Sequence, residues 1–222
     1  MKQIPLAIGP EPARTFANFL PGANGAALAH LIALAPGAPP VYLWGPPGSG
    51  KTHLLHAVVE RAVAHGRRAA WYSAETPAPW AGEGRDWLLI DDAHALDAAQ
   101  QQAAFALFVD AADRGAGIVA AGAVPPVDLA VREDLRTRLG WGHVFALAPL
   151  GESEVRAALR READRRGTFL SDEVMDYLLT RFARDLKHLM MQLDRLDEFS
   201  LASKRAITVP LLKQMLAEEG GA

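Results

Sequence analysis

Gly45, Gly50, Lys51 and Thr52 stand at the spacing G-x-x-x-x-G-K-[ST] within GPPGSGKT (45–52). That pattern is a phosphate cradle. Its glycines let backbone N–H groups turn toward phosphate oxygens, and a helix starting just after them presents its positive end to the same anion. Gly45, Pro46, Pro47, Gly48, Ser49, Gly50, Lys51 and Thr52 are therefore the candidate nucleotide-binding residues. Lys51 would neutralise the β-phosphate and beyond, and Thr52 would ligate Mg2+. Further on, WLLIDD (87–92) is an apolar run ending in two carboxylates. An acid at the end of a strand beside the phosphate-loop strand holds magnesium, through Thr52 or a water, and Asp91 takes that role. Asp92 reads as the group that orients or activates a water, against the blander reading of a solvated strand-end acid or helix cap.

This chemistry needs a strand before the loop and a helix after it. VYLW (41–44) supplies the strand, and Lys51 to His65 has helical spacing through Leu54, Leu55, Val58 and Val59. Further strands are expected at 67–73, 86–92, 116–122 and 143–149, with helices at 24–35 and 98–113. The alternation predicts a parallel, five-stranded, three-layer α/β core. From Glu152 the pattern is helical only, over 153–166, 172–183 and 184–201, with a last short helix capped by Thr208. The expected organisation is an N-terminal peptide (1–12), an α/β nucleotide-binding core (13–150) and a helical lid (151–222). Trp44, Trp71, Trp87 and Trp141 lie in or beside apolar segments and are expected in the core. Arg160, Arg161, Arg165 and Arg166 read as an exposed helix face balanced by Glu162 and Asp164. His53 and His56, at i, i+3 with no third ligand, read as packing or solvent-facing rather than metal-binding, and His94 stands in an uninformative setting.

Composition narrows the function. The absence of cysteine removes disulfides and thiolate metal sites, which fits a reducing compartment. No basic leader precedes an apolar run, and no stretch of about 18 uncharged apolar residues occurs, so a cytoplasmic location with no membrane partner is expected. The net charge is −3, and residues 151–222 carry 12 basic and 13 acidic side chains. A chain of that balance has no basic stripe for strong DNA binding of its own.

The order GPPGSGKT, LLIDDAH, a strand, DLRTRLGWG and then ARDLKHL resembles the AAA+ module of the bacterial initiator DnaA, over nearly the whole chain. TFANFLPGANGAAL (15–28) is similar to that family's opening segment, which helps enclose the adenine. No counterpart of DnaA's C-terminal DNA-binding domain is expected, and in this the chain resembles the Hda family of DnaA-like regulators. QIPLAI (3–8) is similar to the Q-x-x-L-x-[LF] peptides by which that family docks on the DNA sliding clamp, the β subunit of polymerase III. Gln3 would meet a pocket rim while Ile4, Leu6 and Ile8 supply its apolar side, with Ile8 standing where Leu or Phe is usual.

The resemblance also separates holding a nucleotide from cleaving it. AAA+ proteins typically carry Asp-Glu where this chain has Asp91-Asp92, although DnaA-like proteins often have Asp. The shorter side chain matters because misplacing a water-orienting group by about 1 Å costs on the order of 100-fold. The polar sensor expected after GIVAAG is replaced by Ala123, and Gly122 and Ala121 are no better. Lys187 stands where the lid commonly has Arg, keeping the charge without the bidentate fork. These features, with the family's preference for ADP, imply a protein that binds ADP (or ATP) with Mg2+ and hydrolyses weakly. Arg138 falls at the family's arginine-finger position, with Arg136 as its near neighbour, and implies a charge lent in trans to ATP-bound DnaA. That would limit re-initiation of replication. Self-association is compatible with the sequence. The rivals are a DNA-processing AAA+ ATPase, such as a helicase loader or stand-alone initiator, and a small-molecule P-loop kinase.

Overall fold

The computed structural model describes residues 13–182 and 186–219. Gln3, Ile4, Leu6 and Ile8 lie outside the described residues. Among the described residues, 13–149 form one compact unit and those from 150 onward belong to another.

In the first unit the elements run α1 (Gly25–Ala33), β1 (Val41–Trp44), α2 (Lys51–Ala64), β2 (Ala69–Tyr72), β3 (Trp87–Ile90), α3 (Ala98–Arg114), β4 (Gly117–Gly122), α4 (Glu133–Gly140) and β5 (His143–Ala146). The strands form one sheet in the order β2-β3-β4-β1-β5. Every neighbouring pair is parallel. Because successive strand residues face opposite ways, the continuous apolar runs of β1, β3 and β4 feed two cores, while the edge strand β5 is mostly exposed and lends only Phe145 to one of them. Tyr42, Leu88, Ile90, Ile118 and Ala120 pack with Leu107 and Phe108 of α3 and Leu135 and Leu139 of α4. Leu43, Leu89, Val119 and Ala121 pack on the other face with Leu31 of α1 and Leu54, Leu55 and Val58 of α2. This is the expected three-layer α/β core.

Polar side chains lock the layers. Arg61 of α2 donates to the carbonyls of Leu31, Ile32 and Leu34, closing the C-terminal end of α1, where helix carbonyls lack partners of their own. Asp97 and Gln100 cap α3 reciprocally, at 2.8 and 2.9 Å. Gln100 is itself buried and donates onward to the carbonyls of Ala74 and Thr76. Gly142 has no room for a side chain, since a Cβ there would meet the Pro40 carbonyl at 1.9 Å.

The tryptophans depart from expectation. Trp87 is buried, but Trp141 is 66% exposed. It follows a short helix whose inward side is already filled by Leu135 and Leu139, so the GWGHVF segment turns its indole outward. Trp44 and Trp71 are half-buried, and Trp71 stacks on His56 at 4.3 Å. Trp80, in a Pro-rich stretch with no periodicity to reveal it, is buried against Tyr72 at 4.8 Å.

In the second unit, α5 (Glu152–Arg165), α6 (Asp172–Arg181), α7 (Leu186–Ser203) and α8 (Val209–Glu219) surround one core. It is built from Leu159, Met175, Leu178, Leu189, Leu193, Leu196, Leu211 and Leu212. Residues 183–185, where one helix was expected to end and the next to begin, lie outside the described residues. Ser171 caps α6 and Thr208 accepts from the Leu211 N–H at 3.4 Å. The expected exposed arginine face is partly a lock. Arg166 is only 20% exposed and bridges Glu162 of α5 to Asp194 of α7. Arg165 donates to Glu162 at 2.6 and 2.9 Å.

Hydrogen bonds from Arg165, then from Arg166, pull the Glu162 carboxyl down to about 2, against the opposing effect of its partial burial. An unfolded glutamate titrates near ~4.3, so this contribution is complete above that pH and is lost as pH falls toward 2. Glu162→Gln is expected to cost ~1 kcal/mol at pH 7, read as about 2–4 °C in Tm. The gap between variant and parent should close in acid; a constant gap across pH 2–7 contradicts the ion-pair account.

Candidate functional site

The loop 45–50 leaves the carboxyl end of β1 and enters α2, so the site sits at the strand ends where open α/β sheets bind ligands. Its shape depends on glycine. Gly48 and Gly50 take φ of +77° and +93°, which L side chains rarely adopt. A Cβ on Gly45 would meet the Leu147 carbonyl oxygen at 2.2 Å. The first turn of α2 follows directly, so its amide groups and macrodipole face the loop.

Lys51 is 9% exposed, and its Nζ donates to the carbonyls of Gly45 at 2.7 Å and Pro46 at 3.0 Å. Burial pushes its ammonium below the usual lysine range, while Asp91 and Asp92 pull it back. Ser49 Oγ is buried, and among the described residues it has no hydrogen-bond partner. A buried hydroxyl without a partner is costly unless a ligand satisfies it. The lysine folded onto loop carbonyls and the orphaned serine hydroxyl both fit a loop shaped for phosphate oxygens.

β3 brings the second half. Thr52 Oγ1 donates to Asp91 Oδ2 at 2.7 Å, and the Asp92 N–H donates to Asp91 Oδ1 at 3.0 Å. Burial pushes the Asp91 carboxyl up, the Thr52 hydrogen bond opposes this, and the Asp92 charge adds to it. A carboxylate and a hydroxyl held together in this way suit a hard divalent cation, whose charge would relieve the cost of burying Asp91. Asp92 is exposed and takes φ of +50°, a conformation Asp tolerates. Among the described residues no cluster of three or more metal-ligating side chains occurs.

β4 ends between these two strands, and Gly45 N–H donates to the Gly122 carbonyl at 3.3 Å. Ala123 offers only its backbone N–H, which donates to His94 Nδ1 at 3.3 Å. An imidazole from the turn after Asp92 thus stands at the end of β4, a placement with no local cue among the residues around it. The opening segment covers the loop. Phe19 lies where a Cβ on Gly50 would touch its ring at 2.7 Å, and His53 Nε2 hydrogen-bonds the Thr15 carbonyl at 2.9 Å.

Arg138 lies elsewhere. It belongs to α4, on the sheet face opposite α2. α4 ends just before the start of β5, where the His143 N–H donates to the Pro40 carbonyl at the amino end of β1. The phosphate loop leaves the other end of that strand. Arg138 is half-buried, its guanidinium over the Trp141 ring at 5.5 Å, and Arg136 is half-buried on the same helix. Lys187 is within α7, and its side chain lies outside the described residues.

Residues 11–76 match the family model of the bacterial DnaA ATPase domain, and residues 152–216 match that of the lid domain of Hda. The fold is similar to domain III of the Thermotoga maritima replication initiation protein DnaA, with a TM-score of 0.77 and 24% identity over 95% of this chain and 98% of that one. AMPPCP-bound DnaA from Aquifex aeolicus gives 0.69 and 24% over 84% of this chain and 66% of that one. A Thermotoga maritima RuvB Holliday junction branch migration motor gives 0.61 and 19% over 85% and 64%. The likeness to these structures is one of fold.

Proposed function

From a chain that is a DnaA-like AAA+ protein with an Hda-type lid, we propose a regulator that holds ADP with Mg2+ and stimulates hydrolysis of DnaA-bound ATP in trans. A DnaA-related replication role rests on the two family matches. Action in trans is supported by one observation: the phosphate loop and Arg138 sit toward opposite ends of the same strands. The phosphate loop is at the carboxyl end of β1, while the helix bearing Arg138 ends beside its amino end.

In its own pocket, Gly45 to Gly50 would wrap the phosphates, Lys51 would turn from the Gly45 and Pro46 carbonyls to phosphate oxygens, and Ser49 would gain a partner. Thr52 and Asp91 would hold Mg2+, whose charge neutralises the diphosphate. The bound nucleotide of the AMPPCP-bound DnaA supports a nucleotide here. The pocket favours holding over cleaving: Ala123 has no polar side chain to read a γ-phosphate, and Asp92 is shorter than the usual glutamate by one methylene.

Docking on the sliding clamp through Gln3, Ile4, Leu6 and Ile8 would keep the regulator near DNA-bound initiator and raise avidity about 10² to 10⁴ without new contacts. Such a regulator would act in the cytoplasm, beside the initiator it serves. Among the described residues no helix is long and apolar enough to cross a membrane. No direct high-affinity DNA binding is required.

Nucleotide released by denaturing the purified protein is expected to be ADP, identified by ion-pair chromatography. The isolated protein should turn ATP over at well under the typical enzymatic range of about 1 per second. Triphosphate in the pocket with brisk turnover, accelerated by single-stranded DNA, would favour a helicase loader or stand-alone initiator instead.

A further inference from the structure

Resting on the trans reading of Arg138, we infer that Trp141 is a positioning residue, its indole the shelf that holds the Arg138 guanidinium toward a neighbour's triphosphate. Arginine has a long side chain with much rotamer freedom, and a phosphoryl-transfer site needs its charge at one place. Among the described residues no ion pair engages Arg138, whereas Arg132, one turn and a half earlier, is taken by Asp134 at 2.6 Å. The contact that the guanidinium does make is with the Trp141 ring. Arginine stacks on tryptophan because its flat, weakly hydrated cation meets the negative face of the ring.

The shelf is firmly mounted. Leu135 and Leu139 anchor α4, being 0% and 2% exposed. The Trp141 N–H donates to the Arg138 carbonyl at 3.3 Å, which sets the two residues three apart on one turn. On the far side, Gly142 lies against the Pro40 carbonyl with no room for a Cβ. Trp141 nevertheless leaves two thirds of its surface in solvent, at 66% exposed. Its apolar area does little for this chain's own core. In the reaction assisted, the oxygen of water bonds to the γ-phosphorus and the bond to the β,γ-bridging oxygen breaks. ADP and inorganic phosphate leave, the water's protons pass to solvent and phosphate, and the guanidinium stabilises the spread negative charge.

The test follows hydrolysis of ATP bound to DnaA, with DNA-loaded clamp, as each variant is titrated. Trp141→Ala is expected to lower the rate at saturation about 10-fold, with half-saturation unchanged. Trp141→Phe, which keeps a ring face, should restore most of it, and Trp141→Leu should not. A second readout needs no partner. Arg138→Ala should weaken iodide quenching of tryptophan fluorescence while leaving acrylamide quenching unchanged, and the difference should vanish in a Trp141→Phe background. The inference is overturned if Trp141→Ala acts at the parental rate, if it changes half-saturation alone, or if iodide quenching ignores Arg138. If Arg138→Ala itself stimulates normally, the trans reading fails and takes the shelf with it; if Arg138→Ala is inactive while Trp141→Ala is normal, only the shelf fails.

Discussion

Arg138→Ala should lower the stimulated hydrolysis of DnaA-bound ATP by about 10³-fold, the lower end of what a finger supplied in trans is worth. Nucleotide content of the variant should match the parent, because Arg138 belongs to the helix layer opposite α2 and lies toward the other end of the strands from the loop. Arg138→Lys should recover little. An ammonium keeps the charge but neither lies flat on the Trp141 ring nor grips two phosphate oxygens together. Arg136→Ala is the internal control, one half turn away on the same helix, and should stay close to parental. A mirrored result, with Arg136 essential and Arg138 dispensable, would move the finger by two residues; parental stimulation by both variants would remove it from α4.

Lys51→Ala should cost about 10²-fold in affinity for Mg·ADP, the worth of charge-assisted contacts to the phosphates. The effect is legible in thermal shifts. At a ligand concentration of about 100 Kd the parent gains ~2.7 kcal/mol, or about 5–11 °C in Tm for a chain of this size. At the same concentration the variant sits near its own Kd and gains only ~0.4 kcal/mol. Since Lys51 also ties down the Gly45 and Pro46 carbonyls, a nearly isosteric change separates ligand from loop effects. Thr52→Val should keep the magnesium-independent part of the shift and lose the part that Mg2+ adds. Equal shifts in parent and Lys51→Ala would exclude the loop as the phosphate site.

The fold was readable because its signals are local. β1, β3 and β4 are short apolar runs, as strands covered on both faces must be, and α5 to α8 carry the 3.6-residue period that their shared core requires. Helix α4 was not among the expected elements, although it carried cues in Glu133 and Asp134 of its first turn and Gly140 at its end. The phosphate loop was legible for the same reason, its glycines and Lys51 being adjacent in sequence. Contacts made across long separations were not. Nothing in the sequence ties Arg61 to three carbonyls at the end of α1, brings His94 to the Ala123 amide, or buries Trp80 on Tyr72. Trp141 was misread because an aromatic in GWGHVF looks like core by composition, while the side of α4 that faces the sheet was already taken by two leucines.

The separation of pocket and guanidinium along the strands gives the molecule a head and a tail. Any row in which one chain's Arg138 serves the next chain's triphosphate is polar, and it does not close on itself like a two-fold dimer. On the proposed function, the regulator would meet the last initiator of such a row with its Arg138 end. Its own pocket would then play no part in that contact, and a nucleotide kept there would not be consumed in the work.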